Sequence, residues 1–198
     1  MRPHRSLRRD SKEAAVALLR VPLSSPGLSE LPASEDSHGI LLIKRSERLR
    51  GHSGQWALPG GKREGNESLW QTAKRELLEE TDLNPNRVRW LGDLGAVSTG
   101  TGYNARVFIG ELPQPTAMRP DGSEAVQLSA YPESWLQRDD TQSHAPVGVI
   151  DGRHFCWTLP GQTLPWPTPL WGATAFMLLE LRRRLYPRLA DPDWQPKH

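Results

Sequence analysis

The chain has 198 residues, 36% of them hydrophobic and 24% charged, which suits one folded domain and excludes a wholly disordered chain. Its net charge of +2 is too small to predict nucleic-acid binding, and no apolar run approaches the roughly 18 residues that a membrane span needs, so we expect a soluble protein. The single cysteine, Cys156, excludes an internal disulfide framework and a Cys-based zinc cluster and fits a reducing compartment, with the cytoplasm as the default location.

Basic residues are concentrated in the first twelve positions, where five cations face one acid, Asp10. Such an arm can bind nucleic acid, act as a targeting signal or remain a solvated terminus, and its lack of a sustained amphipathic period favours the last of these. We therefore divide the chain into a basic arm (1–12), a single domain (13–186) and a C-terminal tail (187–198).

Short apolar runs after the arm predict buried strands over 14–21 and 39–43, because both are rich in Val, Ile and Leu. The segment between them, 22–38, is dense in Ser, Pro and acids and predicts a mobile surface loop. It could cover a site, although a flexible insertion is the simpler interpretation. Further strands are predicted near 88–94, 105–110 and 153–157.

The segment 68–81 is the best helix in the sequence. Ser68 and Gln71 form a capping box, and an apolar stripe repeats every fourth residue from Leu69 to Leu77. A second long helix is predicted over 170–185. Strands and helices mix without a regular βαβ alternation, which predicts an α+β fold with a mixed sheet between helices.

Three carboxylates of the first helix, Glu76, Glu79 and Glu80, fall within an arc of about 100° on one side. They repel one another, and a hard divalent cation with a preference for oxygen ligands is the natural compensation. Arg75 can orient a neighbouring carboxylate by a forked hydrogen bond. Upstream, the glycines of 58–62 allow the backbone to approach a metal or phosphate closely.

This arrangement suits attack on a phosphoanhydride, in which Mg²⁺ or Mn²⁺ neutralises the diphosphate and lowers the pKa of a bound water. The alternative is a solvated acidic helix face with an i,i+4 pair from Arg75 to Glu79. The Gly-Gly loop, Glu67 and Arg75 at their observed spacing favour the site over that alternative.

The whole string resembles the Nudix box, Gly-x5-Glu-x7-Arg-Glu-U-x-Glu-Glu-x-Gly-U, where U is a bulky aliphatic residue. The segment 61–83 reads GKREGNESLWQTAKRELLEETDL and matches every defined position but one. Asp82 stands where the family has a glycine that follows the helix in a left-handed conformation, which costs Asp on the order of 1 kcal/mol. The departure touches the helix end rather than any ligand.

The resemblance implies a Nudix hydrolase, an α/β/α sandwich with a mixed sheet that splits a nucleoside diphosphate linked to a second moiety. By position, Glu76, Glu79 and Glu80 would bind the metal, with the Gly60 carbonyl as a possible further ligand. Glu76, or a carboxylate outside the box, would position or deprotonate the water. Glu124 is the candidate for that outside acid, and an exposed loop glutamate is an equally good interpretation of it.

The segment 41–61, LLIKRSERLRGHSGQWALPGG, is similar to the extra motif of coenzyme A pyrophosphatases. Arg45, Ser46 and Arg50 match that motif in register, whereas Ile43 and Leu58 replace its Thr and Phe. The run LWGATA at 170–175 also looks like the start of the C-terminal helix in that subgroup. The resemblance covers most of the chain from residue 41 to about residue 185.

Arginines are expected there because coenzyme A carries a 3′-phosphate, which an arginine fork distinguishes from a hydroxyl. Arg45, Arg50 and Ser46 are therefore the candidate substrate-binding residues, and Arg48 alone is interpreted as surface charge. The resemblance implies hydrolysis of coenzyme A or its thioesters to 3′,5′-ADP and (acyl-)4′-phosphopantetheine.

Other functions stay open from sequence. The nearest is a Nudix hydrolase of ADP-ribose, a dinucleotide or a nucleoside triphosphate. A nucleotide-sensing module that does not cleave its ligand would have no need of the three metal-binding glutamates, and RNA-end processing would have to depend on the basic arm. The oligomeric state is not predicted.

Overall fold

The computed structural model describes residues 12–29, 35–48, 53–99, 102–137, 149–150, 153–154, 156–157 and 170–185. The α-helices within them are α1 (Leu69–Thr81) and α2 (Gly172–Leu185), and two 3-10 helices span Pro85–Arg87 and Glu133–Gln137. The strands are β1 (Lys12–Pro22), β2 (His38–Arg45), β3 (Trp56–Ala57), β4 (Gly60–Lys62), β5 (Arg89–Ser98), β6 (Tyr103–Glu111), β7 (Ala125–Pro132), β8 (Val149–Ile150), β9 (Arg153–His154), β10 (Cys156–Trp157) and β11 (Leu170–Trp171).

Strand β1 is central to a seven-stranded mixed sheet of order β3-β2-β1-β6-β5. It runs parallel to β6 along one side. Along its other side it pairs antiparallel with β4 near its start and with β2 near its end. Strand β7 adds to β2, also antiparallel. The short pairs β8-β9 and β10-β11 form two separate ribbons.

Both faces of β1 are buried, which explains its nearly continuous apolar sequence. Leu19 and Val21 join a core cluster that contains Leu77 of α1, while Leu18 joins the opposite cluster with Leu178 of α2. Successive side chains of a strand point to opposite faces, so the two helices cover opposite faces of the sheet. The α+β sandwich with a mixed sheet that the sequence predicts is confirmed.

Helix α1 begins and ends as the sequence predicts. The Ser68 hydroxyl accepts a hydrogen bond from the Gln71 N–H, and the Gln71 side chain accepts one from the Ser68 N–H, which completes the capping box. At the other end Asp82 adopts the left-handed conformation with φ 56°, and its N–H donates to the Leu78 carbonyl. The helix register is thereby fixed at both ends, and with it the direction of the acidic face.

Several predicted boundaries were wrong. Helix α2 begins at Gly172 rather than at residue 170, because residues 170–171 pair with β10. The predicted strand over 153–157 is divided between β9 and β10, with residue 155 outside the described residues. The sequence also failed to predict β7, where Ser129 and Ala130 dilute the apolar pattern and have low β-propensity.

The start of the predicted mobile loop over 22–38 is packed against the domain. Leu23 and Leu28 contact the α1-side core, Ser25 is buried, and the Ser29 N–H donates to the Leu128 carbonyl. The prediction of a flexible insertion is therefore wrong for 23–29. The Pro and Ser content of the segment is typical of surface loops and gives no sign of these contacts. Residues 30–34, the basic arm before Lys12 and the tail over 187–198 lie outside the described residues.

No helix in the described parts of the chain is long and apolar enough to cross a membrane.

Replacing Asp82 by glycine should stabilise the protein by about 0.5–1 kcal/mol, because glycine adopts φ 56° without the steric cost that Asp bears. Thermal unfolding should show a rise in Tm of about 2–4 °C. Asp82→Ala serves as the control and should lower Tm. The exposed ion pair of Asp82 with Arg119, at 3.5 Å, contributes little to either result. An unchanged or lower Tm for Asp82→Gly would show that the left-handed position carries no strain.

Candidate active site

The acidic face of α1 lies against the two glycines of β4. A Cβ atom on Gly61 would lie 2.2 Å from Glu76 Oε1, and one on Gly60 would lie 2.4 Å from the Ala15 carbonyl oxygen. Neither approach is possible for a residue with a side chain. The Gly60 N–H donates to Glu80 Oε2 at 2.9 Å, which ties β4 to the helix. Gly61 therefore allows the Glu76 carboxylate to lie against β4, and Gly60 allows β4 to lie close to β1.

The Arg75 guanidinium is the hub of this face. It donates to Glu67 through Nη2 at 2.9 Å, to Glu76 at 3.0 Å and to Glu79 at 2.8 Å. Nη2 also donates to the Lys62 carbonyl at 3.0 Å. Because of the hydrogen bonds from Arg75, the pKa of Glu67 is lowered to about 2, and the pKa of Arg75 is raised by the bond to Glu67. One cation thus offsets the repulsion among three carboxylates.

Glu80 is the most buried carboxylate of the group, with a side chain that is 3% exposed. Its Oε1 is buried without a hydrogen-bond partner, and Arg45 Nη1 lies 3.7 Å away. Burial raises the pKa of Glu80 to about 8, the bond from Gly60 and the charge of Arg45 oppose this rise, and the charges of Glu76 and Glu124 add to it. Burial also raises the pKa of Glu76.

Glu124 lies on a tight loop that the Asp121 carboxylate organises. That carboxylate accepts hydrogen bonds from the N–H groups of Ser123 at 3.0 Å, Glu124 at 2.9 Å and Ala125 at 2.6 Å. Burial acts to raise the pKa of Asp121, but the bonds it accepts outweigh burial and the pKa is lowered. The Ser46 N–H donates to the Glu124 carbonyl at 2.8 Å, so the loop is fastened to the end of β2.

The structure brings most of the predicted residues together. Arg75, Glu76, Glu79, Glu80 and Gly60 share one face, Arg45 contacts Glu80, and Ser46 fastens the loop of Glu124. The Glu124 side chain is exposed, and its charge raises the pKa of both Glu76 and Glu80, so it lies within electrostatic reach of them. Arg50 lies outside the described residues.

Sequence reasoning missed two features of this region. It gave Asp121 no role, although an Asp-Gly dipeptide such as Asp121-Gly122 is typical of a turn in which Asp binds the following N–H groups. It also missed the contact of Arg45 with Glu80. That contact joins residues that are distant in sequence, and no local signal predicts it.

A metal ion fits this group of oxygen ligands by its chemistry. No three His, Cys, Asp or Glu side chains of the described residues converge as a ready-made cluster, since Arg75 Nη1 lies between Glu76 and Glu79. The buried Glu80 Oε1 nevertheless accepts no hydrogen bond, and its ion pair with Arg45 is long, at 3.7 Å, so this oxygen keeps the capacity to bind a metal ion. Carboxylate and carbonyl oxygens are the ligands that Mg²⁺ and Mn²⁺ prefer.

The family model and the related sequences agree on one protein family. The NUDIX domain family model matches residues 31–155. The chain is 30% identical over 150 residues to an uncharacterized Nudix hydrolase NudL of Photorhabdus laumondii, covering 74% of this chain and 76% of that protein. It is 31% identical over 146 residues to the NudL of Citrobacter koseri, with 72% and 73% covered.

Solved structures show the same fold. The NUDIX domain of Shewanella oneidensis NrtR, solved with ADP ribose, superposes with a TM-score of 0.52 at 18% identity and 88% coverage of both chains. A MutT/nudix family protein from Enterococcus faecalis gives a TM-score of 0.53 at 17% identity, covering 88% of this chain and 61% of that one.

Replacing Glu67 by glutamine should lower stability at neutral pH and make the protein less sensitive to acid. Glu67 has a pKa of about 2 when folded, below its ordinary value of 4.5, so its ionised form stabilises the fold above pH 4.5. That contribution is lost as pH falls from 4.5 towards 2. Urea unfolding at pH 7, 5 and 4 would measure the difference in free energy of unfolding between the wild type and Glu67→Gln. This difference should become smaller below pH 4.5. Glu64→Gln, at an exposed position nearby, is the control, and a gap that does not depend on pH would contradict the assignment.

Proposed function

The chain belongs to the Nudix family and is a pyrophosphohydrolase, and from that premise we propose that it hydrolyses the diphosphate of coenzyme A or of its thioesters. The products would be 3′,5′-ADP and 4′-phosphopantetheine or its acyl form. The observation that carries the proposal is the position of the coenzyme A-type segment. Its Arg45 contacts Glu80 of the box helix, and its Ser46 is bonded to the Glu124 loop. Residues that would select the substrate therefore adjoin residues that would cleave it.

Glu76, Glu79 and Glu80 would hold Mg²⁺ or Mn²⁺, with the Gly60 carbonyl as a further ligand. Nudix hydrolases generally use such divalent metals. The support in this chain is the oxygen-rich face of α1, the close approach that Gly61 permits and the buried Oε1 of Glu80, which accepts no hydrogen bond and forms a long ion pair with Arg45 at 3.7 Å. When bound, the metal supplies charge neutralisation of the diphosphate and a lowered pKa for the attacking water.

Arg75 would orient the metal-binding side chains rather than contact the substrate. The bonds of its Nη2 to Glu67 and to the Lys62 carbonyl anchor the guanidinium. Its Nη1 is thereby held in position to bind Glu76 and Glu79. Pre-organisation of this kind lowers the cost of bringing three like charges together. Arg75 is thus proposed as a positioning residue for Glu76 and Glu79.

Glu76 or Glu124 would accept the proton of the water that attacks the diphosphate. Burial raises the pKa of Glu76, which makes its carboxylate a stronger base than an exposed glutamate. Glu124 approaches from a different element, and its backbone is held by Asp121 and Ser46, so its position relative to α1 is defined. These two residues are the candidates for general base.

Arg45, Ser46 and Arg50 would bind the nucleotide half of the substrate. An arginine fork matches the geometry of a phosphate and carries a permanent charge. Arg45 already compensates Glu80, so its charge also lies beside the position where the diphosphate would be neutralised. A substrate that reached Arg45 would therefore be close to the carboxylate face.

The proposal is tested by identifying products. Purified protein with Mn²⁺ would be offered coenzyme A, dephospho-coenzyme A, ADP-ribose and NADH in parallel, and nucleotide products would be separated by chromatography. Preferential release of 3′,5′-ADP from coenzyme A is the expected result. A preference for ADP-ribose, the ligand in the NrtR structure, would leave the hydrolase in place and refute the substrate.

Glu79→Gln should lower kcat by at least about 100-fold, because loss of a direct metal ligand costs more than the 10- to 100-fold typical of residues behind the ligands. The fold should survive, since the Glu79 side chain is 57% exposed. The measurement is kcat with saturating Mn²⁺, alongside the circular dichroism spectrum. Glu64→Gln is the matched control and should keep wild-type activity. Full activity in Glu79→Gln would show that Glu79 is not a metal ligand.

A further inference from the structure

A cavity of about 490 Å³ lies where the end of β2 meets the loop before β7. Its lining includes two cations and one acid, so it carries net positive charge, and it shares Ser46 with the candidate site. The lining residues include Lys44, Ser46, Glu47, Arg48, Ser123 and Val126. A pocket with this charge suits an anionic group.

The two cations of the cavity are available for a ligand. Neither Lys44 nor Arg48 forms an ion pair with any of the described residues. Arg45, in contrast, lies 3.7 Å from the buried Glu80. The pairing of β2 with β7 is irregular between Lys44 and Arg45, and the two side chains lie in different regions. Lys44 lines the cavity, whereas Arg45 lies at the carboxylate face.

Ser46 adds a buried hydrogen-bond donor to the cavity. The residue is 4% exposed, and its hydroxyl oxygen accepts the Arg48 N–H at 3.3 Å. No described residue accepts the hydroxyl proton of Ser46, which leaves it able to donate to a ligand. A guanidinium, an ammonium and a hydroxyl that meet in one pocket are a donor set for a phosphate monoester, which offers three acceptor oxygens and about two negative charges.

We infer that Lys44, Arg48 and Ser46 form a subsite for a phosphate monoester of the substrate, separate from the carboxylate face that holds the diphosphate. The identity of that monoester as the 3′-phosphate of coenzyme A rests on the proposed function. The subsite reverses the sequence interpretation of Arg48 as surface charge. It also assigns the discrimination between phosphate and hydroxyl to cations other than Arg45, which is engaged by Glu80.

Binding of two nucleotides that differ by one phosphate tests the subsite without any catalysis. Calorimetry would compare 3′,5′-ADP with 5′-AMP in the presence of a chelator, using the wild type, Lys44→Met, Arg48→Ala and the double variant. The wild type should bind 3′,5′-ADP about tenfold or more tightly than 5′-AMP, and the double variant should reduce that preference to about twofold or less.

Arg87→Ala is the matched control for the single variants, because Arg87 is an exposed arginine of the short helix Pro85–Arg87 and its loss changes the net charge by the same single unit. It should retain the full preference. Thermal unfolding would verify that Lys44→Met and Arg48→Ala fold, which is expected since neither side chain is buried.

Two results would overturn the subsite: a wild type without preference for 3′,5′-ADP, or a double variant that keeps it. These outcomes are distinguishable from failure of the proposed function. A preference that depends on Lys44 and Arg48 in a protein that does not cleave coenzyme A supports the subsite and refutes the substrate. Cleavage of coenzyme A, together with a preference for 3′,5′-ADP that both substitutions leave unchanged, supports the substrate and refutes the subsite.

Discussion

The bonds of Arg75 to three carboxylates hold the candidate site together. Glu67, Glu76 and Glu79 would repel one another if they were brought this close without a cation, and the helix would lose stability. Arg75 offsets that repulsion and also reaches the Lys62 carbonyl, so one side chain connects β4, the loop before α1 and the helix itself. The caps of α1 fix the helix register, and this set of hydrogen bonds then holds the three acids and the β4 backbone together.

The glycines of β4 are the complement of that charge network. Because Gly61 has no side chain, Glu76 can lie against the strand, and the Gly60 N–H can bind Glu80. The same closeness buries Glu80 with one oxygen that lacks a hydrogen bond. Burial of a carboxyl group costs stability when one of its oxygens accepts no hydrogen bond and forms only a long ion pair, here with Arg45 at 3.7 Å. The local loss of stability is consistent with a site that binds a cation during its function.

The sequence predicted the catalytic helix well because its signals are local. The capping box of Ser68 and Gln71, the apolar stripe and the left-handed Asp82 all lie within one segment, and each is confirmed. The spacing of the three glutamates on that helix followed from helical geometry alone. The mixed sheet between helices was predicted from the irregular order of strands and helices, and the sandwich from the resemblance to the Nudix box.

Features that depend on pairing between distant segments were not predictable in the same way. Strand β7 pairs with β2 although the paired residues lie 80 to 93 positions apart in the sequence, and its small residues conceal its pattern. Lys44 and Arg45 are neighbours in β2 and point to opposite faces, but which face adjoins the cavity depends on the pairing with β7 and on the loop before it. The anchoring of residues 23–29 to β7 was missed for the same reason.

The most direct test of the central claim is a crystal structure grown with Mn²⁺, with data collected to reveal the anomalous signal of the metal. We expect an anomalous peak at the acidic face of α1, with Glu76, Glu79 and Glu80 as direct ligands and Glu67 still bonded to Arg75. A peak elsewhere in the molecule, with Arg75 still bridging Glu76 and Glu79, would contradict it.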